Sequence, residues 1–527
     1  MNLLRVLVIP ILLLCSCEKK EEIPEITPEE TGLIKNSSYE KVEASSDFLS
    51  WNNDFDIDAI SVETPGYMSD NALRHEKPTA YKVYTNQKIT DLQNGFYKLT
   101  AWIKNSGGQN SCYMMAENGL TNRMTSLPVT QNKWKQVIIR GIEVKNNELT
   151  IGLFSDAQEN NWCLIDNWEL IKDDKEYEFL KGGDLSELSY IEQMGGKFFE
   201  NGVEKDCFEI LKNNGMNLAR LRLYNDPGNP DFEPSNRLPE GIQNPSDILS
   251  LAARAKAANM QILLTFHYSD YWTNGISQTK PHEWKDLSYE ELKQAVYDFT
   301  FDLMTQMKEQ GTTPEFVSLG NETAGGILFP DGESSNFSKL SELFNQGYDA
   351  VKAVSPETKV IIHLDDAGNA DKYDWYFGSL DTYGAKYDII GASYYPFWTK
   401  KTVDEIAEWA DYQSKKLDKD ILIMETGYNW NPTLPGGWEG QLKDNGPYDN
   451  IYPSSREGQK NFLFECFNGI KGMANGRVLG DIYWDPVMIS VPGVGWELGG
   501  PNVVSNTTLF DFNGSSLPAL KAFKYNN

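Results

Sequence analysis

The sequence predicts two folded units in series: an all-β, jelly-roll-like sandwich followed by an α/β unit, a (β/α)8 TIM barrel. Three observations carry that expectation. The chain has 527 residues, whereas one domain usually takes about 100–200. Up to about residue 175, apolar and polar residues alternate with the period of half-buried strands. Beyond Lys181, short apolar runs alternate with longer stretches of helical period, as in βα units around a parallel sheet.

The sandwich is expected over residues 37–175. Runs 95–103, 134–139 and 149–154 read as strands, separated by polar turns such as Asn105-Ser106-Gly107-Gly108 and Lys145-Asn146-Asn147. The run Trp162 to Leu170 resembles the closing strand of jelly-roll modules that often bind carbohydrate; a structural spacer with core Trp residues is an equal reading. The barrel is expected over residues 180–527. Its eight strands fall near 182–185, 217–224, 261–266, 315–320, 359–364, 388–394, 420–425 and 480–484. Amphipathic helices lie between them, near 246–258, 289–309 and 337–354. On the second of these, Glu291, Lys293 and Gln294 lie opposite Leu292, Val296 and Phe299.

Composition narrows the function. With 40% hydrophobic and 12% aromatic residues, the chain can fill large cores, which excludes a wholly disordered or fibrous protein. Its 76 acidic against 48 basic residues leave a net charge of −28, which argues against partners such as nucleic acid or anionic lipid. The chain has only 4 His and no Cys/His metal spacing, so no metal and no cofactor are expected. Six cysteines are too few for a disulfide scaffold; a Cys112–Cys163 bridge is open in an oxidising compartment.

Residues 1–16 read as a lipoprotein signal peptide. Arg5 precedes an apolar run from Val6 to Leu14, far short of the about 20 residues that cross a bilayer. The run closes Leu14-Cys15-Ser16-Cys17, which resembles a lipobox, with Cys17 as the lipidated residue. Residues 17–36 are charged and Pro-bearing, a tether. The expectation is a monomeric outer-membrane lipoprotein at the cell surface, touching the membrane only through its anchor.

The predicted strand ends of the barrel are polar where reactive side chains of such barrels stand. They include Arg220 and Arg222; His267, Asp270 and Trp272; Asn321-Glu322; His363 and Asp365; Tyr395 and Trp398; Glu425-Thr426; and Trp484-Asp485. Glu322 and Glu425 are the decisive pair. Each ends an apolar strand, where an unpaired carboxylate is costly. Strands four and seven can aim both into one pocket, as glycoside hydrolysis requires: one group protonates the leaving oxygen, the other attacks the anomeric carbon or activates water.

These segments resemble the retaining (β/α)8 glycosidases, and within them the endo-β-1,4-galactanases of glycoside hydrolase family 53. The resemblance rests on Gly215 to Arg222, Phe266-His267-Tyr268-Ser269-Asp270, Ser318-Leu319-Gly320-Asn321-Glu322, Ile362-His363-Leu364-Asp365, Tyr394-Tyr395-Pro396-Phe397, and the C-terminal runs Leu509 to Gly514 and Leu517 to Leu520. It spans about Gly182 to Phe523 and leaves residues 18–173 unaddressed. It implies Glu322 as acid/base, Glu425 as nucleophile and Asn321 on the sugar 2-hydroxyl. It also implies that Tyr395 holds the nucleophile's oxygen and that Arg220 or Arg222 supports the carboxylates. His267, Asp270, His363 and Asp365 would line the sugar site, and Trp272, Trp398 and Trp484 are candidate stacking platforms. The partner so implied is β-1,4-galactan or its oligosaccharides.

Two segments depart from the family pattern. Trp484-Asp485-Pro486 stands where Trp-Glu-Pro is usual. The loop after strand seven lacks the Asp-x-Asp-x-His-x-Asn run that builds a calcium site in some bacterial members, so no calcium is expected in the barrel. A related β-glycanase acting on glucan, mannan or xylan, and a glycan binder without catalysis, are the competing readings.

Overall fold

The computed structural model describes residues 32–526, except 45–46, 120–121, 174–175 and 230–236. The signal, Cys17 and most of the tether lie outside the described residues. Among those described, no helix is long and apolar enough to cross a membrane.

Alternation in the first part of the chain builds strands β1 (Asn52–Phe55), β2 (Ile60–Glu63), β3 (Ala72–Glu76), β4 (Tyr81–Ile89), β5 (Gly95–Asn105), β6 (Ser111–Glu117), β7 (Asn122–Ser126), β8 (Lys135–Val144), β9 (Leu149–Ala157) and β10 (Trp162–Asp173). They form two five-stranded antiparallel sheets, in the orders β1-β4-β9-β6-β7 and β8-β5-β10-β3-β2. Every second side chain enters the shared core, among them Val83, Leu99, Ile103, Met114, Ile151 and Ile165. Cys112 on β6 and Cys163 on β10 meet from opposite sheets. Both are buried free thiols, 3.5 and 3.3 Å from the Ser155 hydroxyl.

The second part closes into a barrel of β11 (Leu180–Asp184), β12 (Leu218–Leu223), β13 (Gln261–Phe266), β14 (Phe316–Leu319), β15 (Lys359–Leu364), β16 (Ile389–Tyr394), β17 (Asp420–Thr426) and β18 (Val478–Tyr483). β11 pairs with both β12 and β18, so all neighbours are parallel and no edge remains. The eighth strand starts and ends earlier than its apolar run suggests. Trp484 already leaves the ladder and donates its N–H to the Thr426 carbonyl at 2.8 Å. Helices start where caps predict. Asn244 caps α1 (Pro245–Ala257), a Ser288–Glu291 capping box opens α2 (Tyr289–Glu309), and Asn336 caps α3 (Phe337–Val354).

Leu180, Leu218, Leu263, Phe316, Ile361, Ile389, Leu422 and Ile482, one residue from each strand, pack into an apolar floor inside the barrel. Two residues further along the strands the inward positions turn polar, with Arg220, Thr265, Ser318 and His363. Polar chemistry is thereby confined to the C-terminal end of the barrel.

The sandwich docks edge-on against α4 (Arg456–Gly472), the helix that follows β17. Lys135 pairs with Glu465 at 2.8 Å, and Asn468 accepts from the Ile138 N–H at 3.2 Å and donates to the Gln136 carbonyl at 3.1 Å. Arg140 reaches Asn475 at 2.8 Å, and the Tyr452 hydroxyl donates to the Val129 carbonyl at 2.9 Å. Side chains of the barrel unit satisfy backbone groups of the sandwich, and side-chain pairs join them, so the two are held in one orientation.

Candidate active site

A break in register places one of the two central carboxylates. Ala392 pairs with Ile423, but the next residue, Ser393, pairs with Glu425. Met424 is therefore an extra residue in β17. Leu422 and Met424 both face the floor of the barrel. Strict alternation would turn Glu425 outward into the helix layer; the bulge turns it inward instead. Glu322 arrives differently. β14 ends at Leu319, and Gly320 (φ 83°) and Glu322 (φ 46°) both take left-handed backbone that folds the chain over the barrel mouth.

The carboxylates of Glu322 and Glu425 and the His363 imidazole each bring one ligand atom within 4.8 Å of the others. Arg220 organises the Glu425 side. Its guanidinium is fully buried and donates to Glu425 Oε1 at 2.8 Å and to Asn321 Oδ1 at 2.6 Å. The Tyr395 hydroxyl donates to Glu425 Oε2 at 3.0 Å. Asn321 is in turn fixed by donating Nδ2–H to the Thr273 carbonyl at 3.0 Å.

Around Glu322 the partners are neutral. The Ser393 hydroxyl donates to Glu322 Oε1 at 2.8 Å and meets His363 Nε2 at 2.8 Å. The Glu322 backbone N–H faces His363 Nδ1 at 3.5 Å, which assigns the imidazole proton to Nε2. Burial and the neighbouring Arg220 hold the His363 pKa well below the ordinary histidine range, so it stays neutral.

The environments of the two carboxylates separate their protonation. Burial, the adjacent Glu425 and then Asp365 push Glu322 up to about 8. Burial raises Glu425 as well, but the charge and hydrogen bond of Arg220 and the Tyr395 hydroxyl pull it back. Two neighbouring carboxylates cannot both ionise cheaply, and the guanidinium favours the charge on Glu425. Glu322 keeps a proton near neutrality while Glu425 is the anion.

The remaining expected residues divide into two groups. Asp365, Trp398 and Tyr395 line a pocket of about 430 Å³ that opens from Glu322, together with Ile276 and Ser393. Trp398 is 49% exposed, edge-on to Tyr395 at 4.6 Å. Asp365 is held by Lys372 at 2.6 Å. On the other side, Trp272 and Trp484 form an aromatic wall with Trp496 at ring distances of 5.5–6.4 Å.

Arg222 and Asp270 stand apart from the carboxylate pair. Arg222 lies beneath that wall, 4.6 and 4.4 Å from the Trp272 and Trp484 rings, and pairs with Asp184, Glu187 and Asp485 at 3.1–3.3 Å. Asp270 is 2% exposed and braces two loops by accepting from the Asp226 and His282 N–H groups at 2.8 and 2.7 Å. His267 is buried against Tyr224 at 4.3 Å, with Nδ1 on the Thr273 hydroxyl at 2.7 Å. Its Nε2 has no partner among the described residues.

Residues 180–523 match glycosyl hydrolase family 53. The chain belongs to that family. Membership makes it a glycoside hydrolase, and the match coincides with the barrel unit. An endo-β-1,4-galactanase of Bacillus subtilis is 29% identical over 66% of this chain and 86% of its own length. An arabinogalactan endo-β-1,4-galactanase of Thermothelomyces thermophilus is 28% identical over 65% of this chain and 98% of its own. The solved family 53 catalytic domain of Ignisphaera aggregans is 36% identical, covers 66% of this chain and 96% of that one, and superposes with a TM-score of 0.62.

Within this family 53 barrel, three positions that contact the candidate site residues escape a reading of motifs alone. Ser393 touches Glu322, yet a serine inside an apolar strand has no distinguishing pattern. Asp184, at the end of β11, pairs with both arginines. Trp496 donates to Asp485 Oδ2 at 2.5 Å from a loop far along the chain.

Proposed function

We propose that the protein hydrolyses β-1,4-galactan internally, with retention of configuration, releasing galacto-oligosaccharides. The observation that carries the mechanism is the approach of the Glu322 and Glu425 carboxylates to within 4.8 Å. Retaining glycosidases separate the pair by about 5–5.5 Å and inverting ones by about 6.5–9.5 Å, the wider gap leaving room for a water. The choice of galactan is supported by the galactanase relatives.

In this mechanism protonated Glu322 gives its proton to the glycosidic oxygen as that bond breaks. Glu425 Oε attacks the anomeric carbon from the opposite face and forms a glycosyl ester. Arg220 and Tyr395 keep the attacking oxygen aimed and anionic until then. Glu322, now a carboxylate, takes a proton from the incoming water, whose oxygen displaces Glu425 and regenerates both groups. Asn321 is placed to hydrogen-bond the 2-hydroxyl beside the reacting carbon, a contact that strengthens as positive charge develops on the ring. The open pocket beyond Glu322 supports internal cleavage, because a polymer can continue past the cut.

Product analysis on linear galactan tests this reading. Short oligomers that appear early, with β-configured new reducing ends by NMR, are expected. Release of monosaccharide alone, α-configured ends or intact polymer would overturn it. Glucan, mannan and xylan in parallel fix the substrate.

The surface-lipoprotein reading belongs to the same proposal and is supported by the run Leu14-Cys15-Ser16-Cys17. Labelling cells with a fatty-acid analogue should tag the full chain and fail to tag Cys17→Ala.

A further inference from the structure

One outer face of the sandwich carries aromatic surface that its own core does not use. On the sheet β1-β4-β9-β6-β7, Phe154 pairs directly with Tyr84 on one side and Tyr113 on the other, making a row of three rings across three strands. Phe154 and Tyr113 stack at 5.0 Å, and Tyr525 from the C-terminal end of the barrel unit stacks on Tyr113 at 5.7 Å. The next row holds Asn86, Gly152, Met115 and Met124. Tyr84, Phe154, Tyr113, Met115 and Met124 are all half-buried, whereas the alternate residues of the same strands are buried in the core. A contiguous half-exposed apolar patch of this kind marks an interaction surface.

Gly152 gives the patch its shape. It sits mid-strand, where glycine weakens a sheet unless something approaches closely. A Cβ at this position would lie 2.6 Å from Tyr84 Cε2 and 2.6 Å from the Thr85 carbonyl oxygen. The Tyr84 ring therefore leans over the bare backbone of β9. Polar groups flank it on the strand side: Asn52 and Asp54 project from the neighbouring β1, and Asn86 donates to Asp54 Oδ2 at 3.0 Å. Asp156 with Lys82, and Glu117, complete the rim.

We propose that this face binds a neutral, β-linked polysaccharide, with a pyranose ring seated on the Tyr84–Phe154–Tyr113 row. Aromatic rings supply the surface on which sugar C–H groups pack, and the amides and carboxylates of the rim match equatorial hydroxyls. Charge selects this occupant over the alternatives. Lys82, 5.8 Å from the Phe154 ring centroid, balances Asp156, which leaves Asp54 and Glu117 in excess; on a chain of net charge −28 this repels an anionic lipid surface and a second copy of the chain, but not an uncharged polyol. The choice of galactan as first probe rests on the proposed activity of the barrel; the site itself does not.

The test uses the full chain carrying Glu322→Gln, so that the probe is not consumed, in native gels cast with β-1,4-galactan. Tyr84→Ala should raise the apparent dissociation constant at least fivefold, whereas Tyr84→Phe, which keeps the ring, should leave it within twofold. Tyr113→Ala provides a second variant, and thermal unfolding confirms that each one folds. Retention that is indifferent to Tyr84→Ala and Tyr113→Ala overturns the proposal. So does concentration-dependent self-association in sedimentation that Tyr84→Ala abolishes, since the face would then hold a second copy. Should the unmodified chain leave galactan intact, the proposed activity fails separately. The same gels cast with xylan, mannan and glucan then decide the binding site: Tyr84-dependent retention in any of them supports it, and retention in none overturns it.

Discussion

The Ser393 hydroxyl donates to Glu322 Oε1 at 2.8 Å, a hydrogen bond to the very group that must release a proton. A donor at this position favours the carboxylate and pulls the Glu322 pKa down against burial. Activity that needs protonated Glu322 should fall as pH rises through about 8. Ser393→Ala removes the downward pull, so the alkaline limb of the kcat/KM profile should move to higher pH. A limb that stays in place would separate Ser393 from proton transfer.

The division of labour between the two carboxylates has its own signature. Glu322→Gln should lower the rate on galactan by about 10²–10⁴, the usual worth of a general acid. On an aryl galactoside whose leaving group needs no proton, the loss should be much smaller. Glu425→Gln should abolish both activities, because no attacking oxygen remains. Equal losses on both substrates for Glu322→Gln would reverse or merge the assigned roles.

Stability should depend on pH in the sense opposite to a salt-bridged acid. Burial raises Glu322 to about 8 and Glu187 and Asp481 to about 7 in the folded chain. Their unfolded values lie near 4. Between about pH 4 and 8 the native state thus binds more protons than the unfolded one, and stability falls as pH rises. Scanning calorimetry at low salt should give a higher Tm at pH 6 than at pH 8. Glu322→Gln, neutral at every pH, should flatten part of that slope and raise Tm at pH 8, trading activity for stability.

Chelators should leave the activity of the barrel unchanged. In the loop after β17, Asn429 donates Nδ2–H to the Leu442 carbonyl at 3.0 Å and accepts from Asn506 Nδ2 at 3.0 Å, while its N–H donates to Asn445 Oδ1 at 3.0 Å. The side-chain oxygens of Asn429 and Asn445 are thus already occupied by N–H donors of the loop itself. Excess EDTA should leave galactan hydrolysis unchanged, and Asn429→Ala, which removes these bonds, should lower Tm.

The sequence exposes the barrel because its strands are buried on both faces and read as short apolar runs between capped helices. The strand ends are legible for a related reason: polar residues there break an otherwise apolar pattern, and Glu322, Glu425, Arg220 and Asn321 all stand out that way. Height inside the barrel is not legible. Arg220 and Arg222 are two residues apart and both turn inward, yet only Arg220 sits level with Glu425, while Arg222 meets Asp184, Glu187 and Asp485 one layer above. Asp270 lies between an aromatic and a serine like any cleft residue, but its oxygens are taken by backbone N–H groups of two other segments, a tertiary fact that no local pattern carries.

The extra residue in β17 makes the aim of Glu425 a matter of parity. Along a strand, odd and even positions look to opposite sides, so the direction of this side chain depends on a count of residues rather than on the strength of any contact. If β17 paired regularly with Met424 in place, the carboxylate would turn to the helices; deleting Met424 removes the bulge and the extra residue together and leaves Glu425 inward, two residues after Leu422. The extra residue and the bulge that absorbs it therefore belong together, and the pairing of Glu425 with Ser393 is the relationship that a redesign of this barrel has to hold constant.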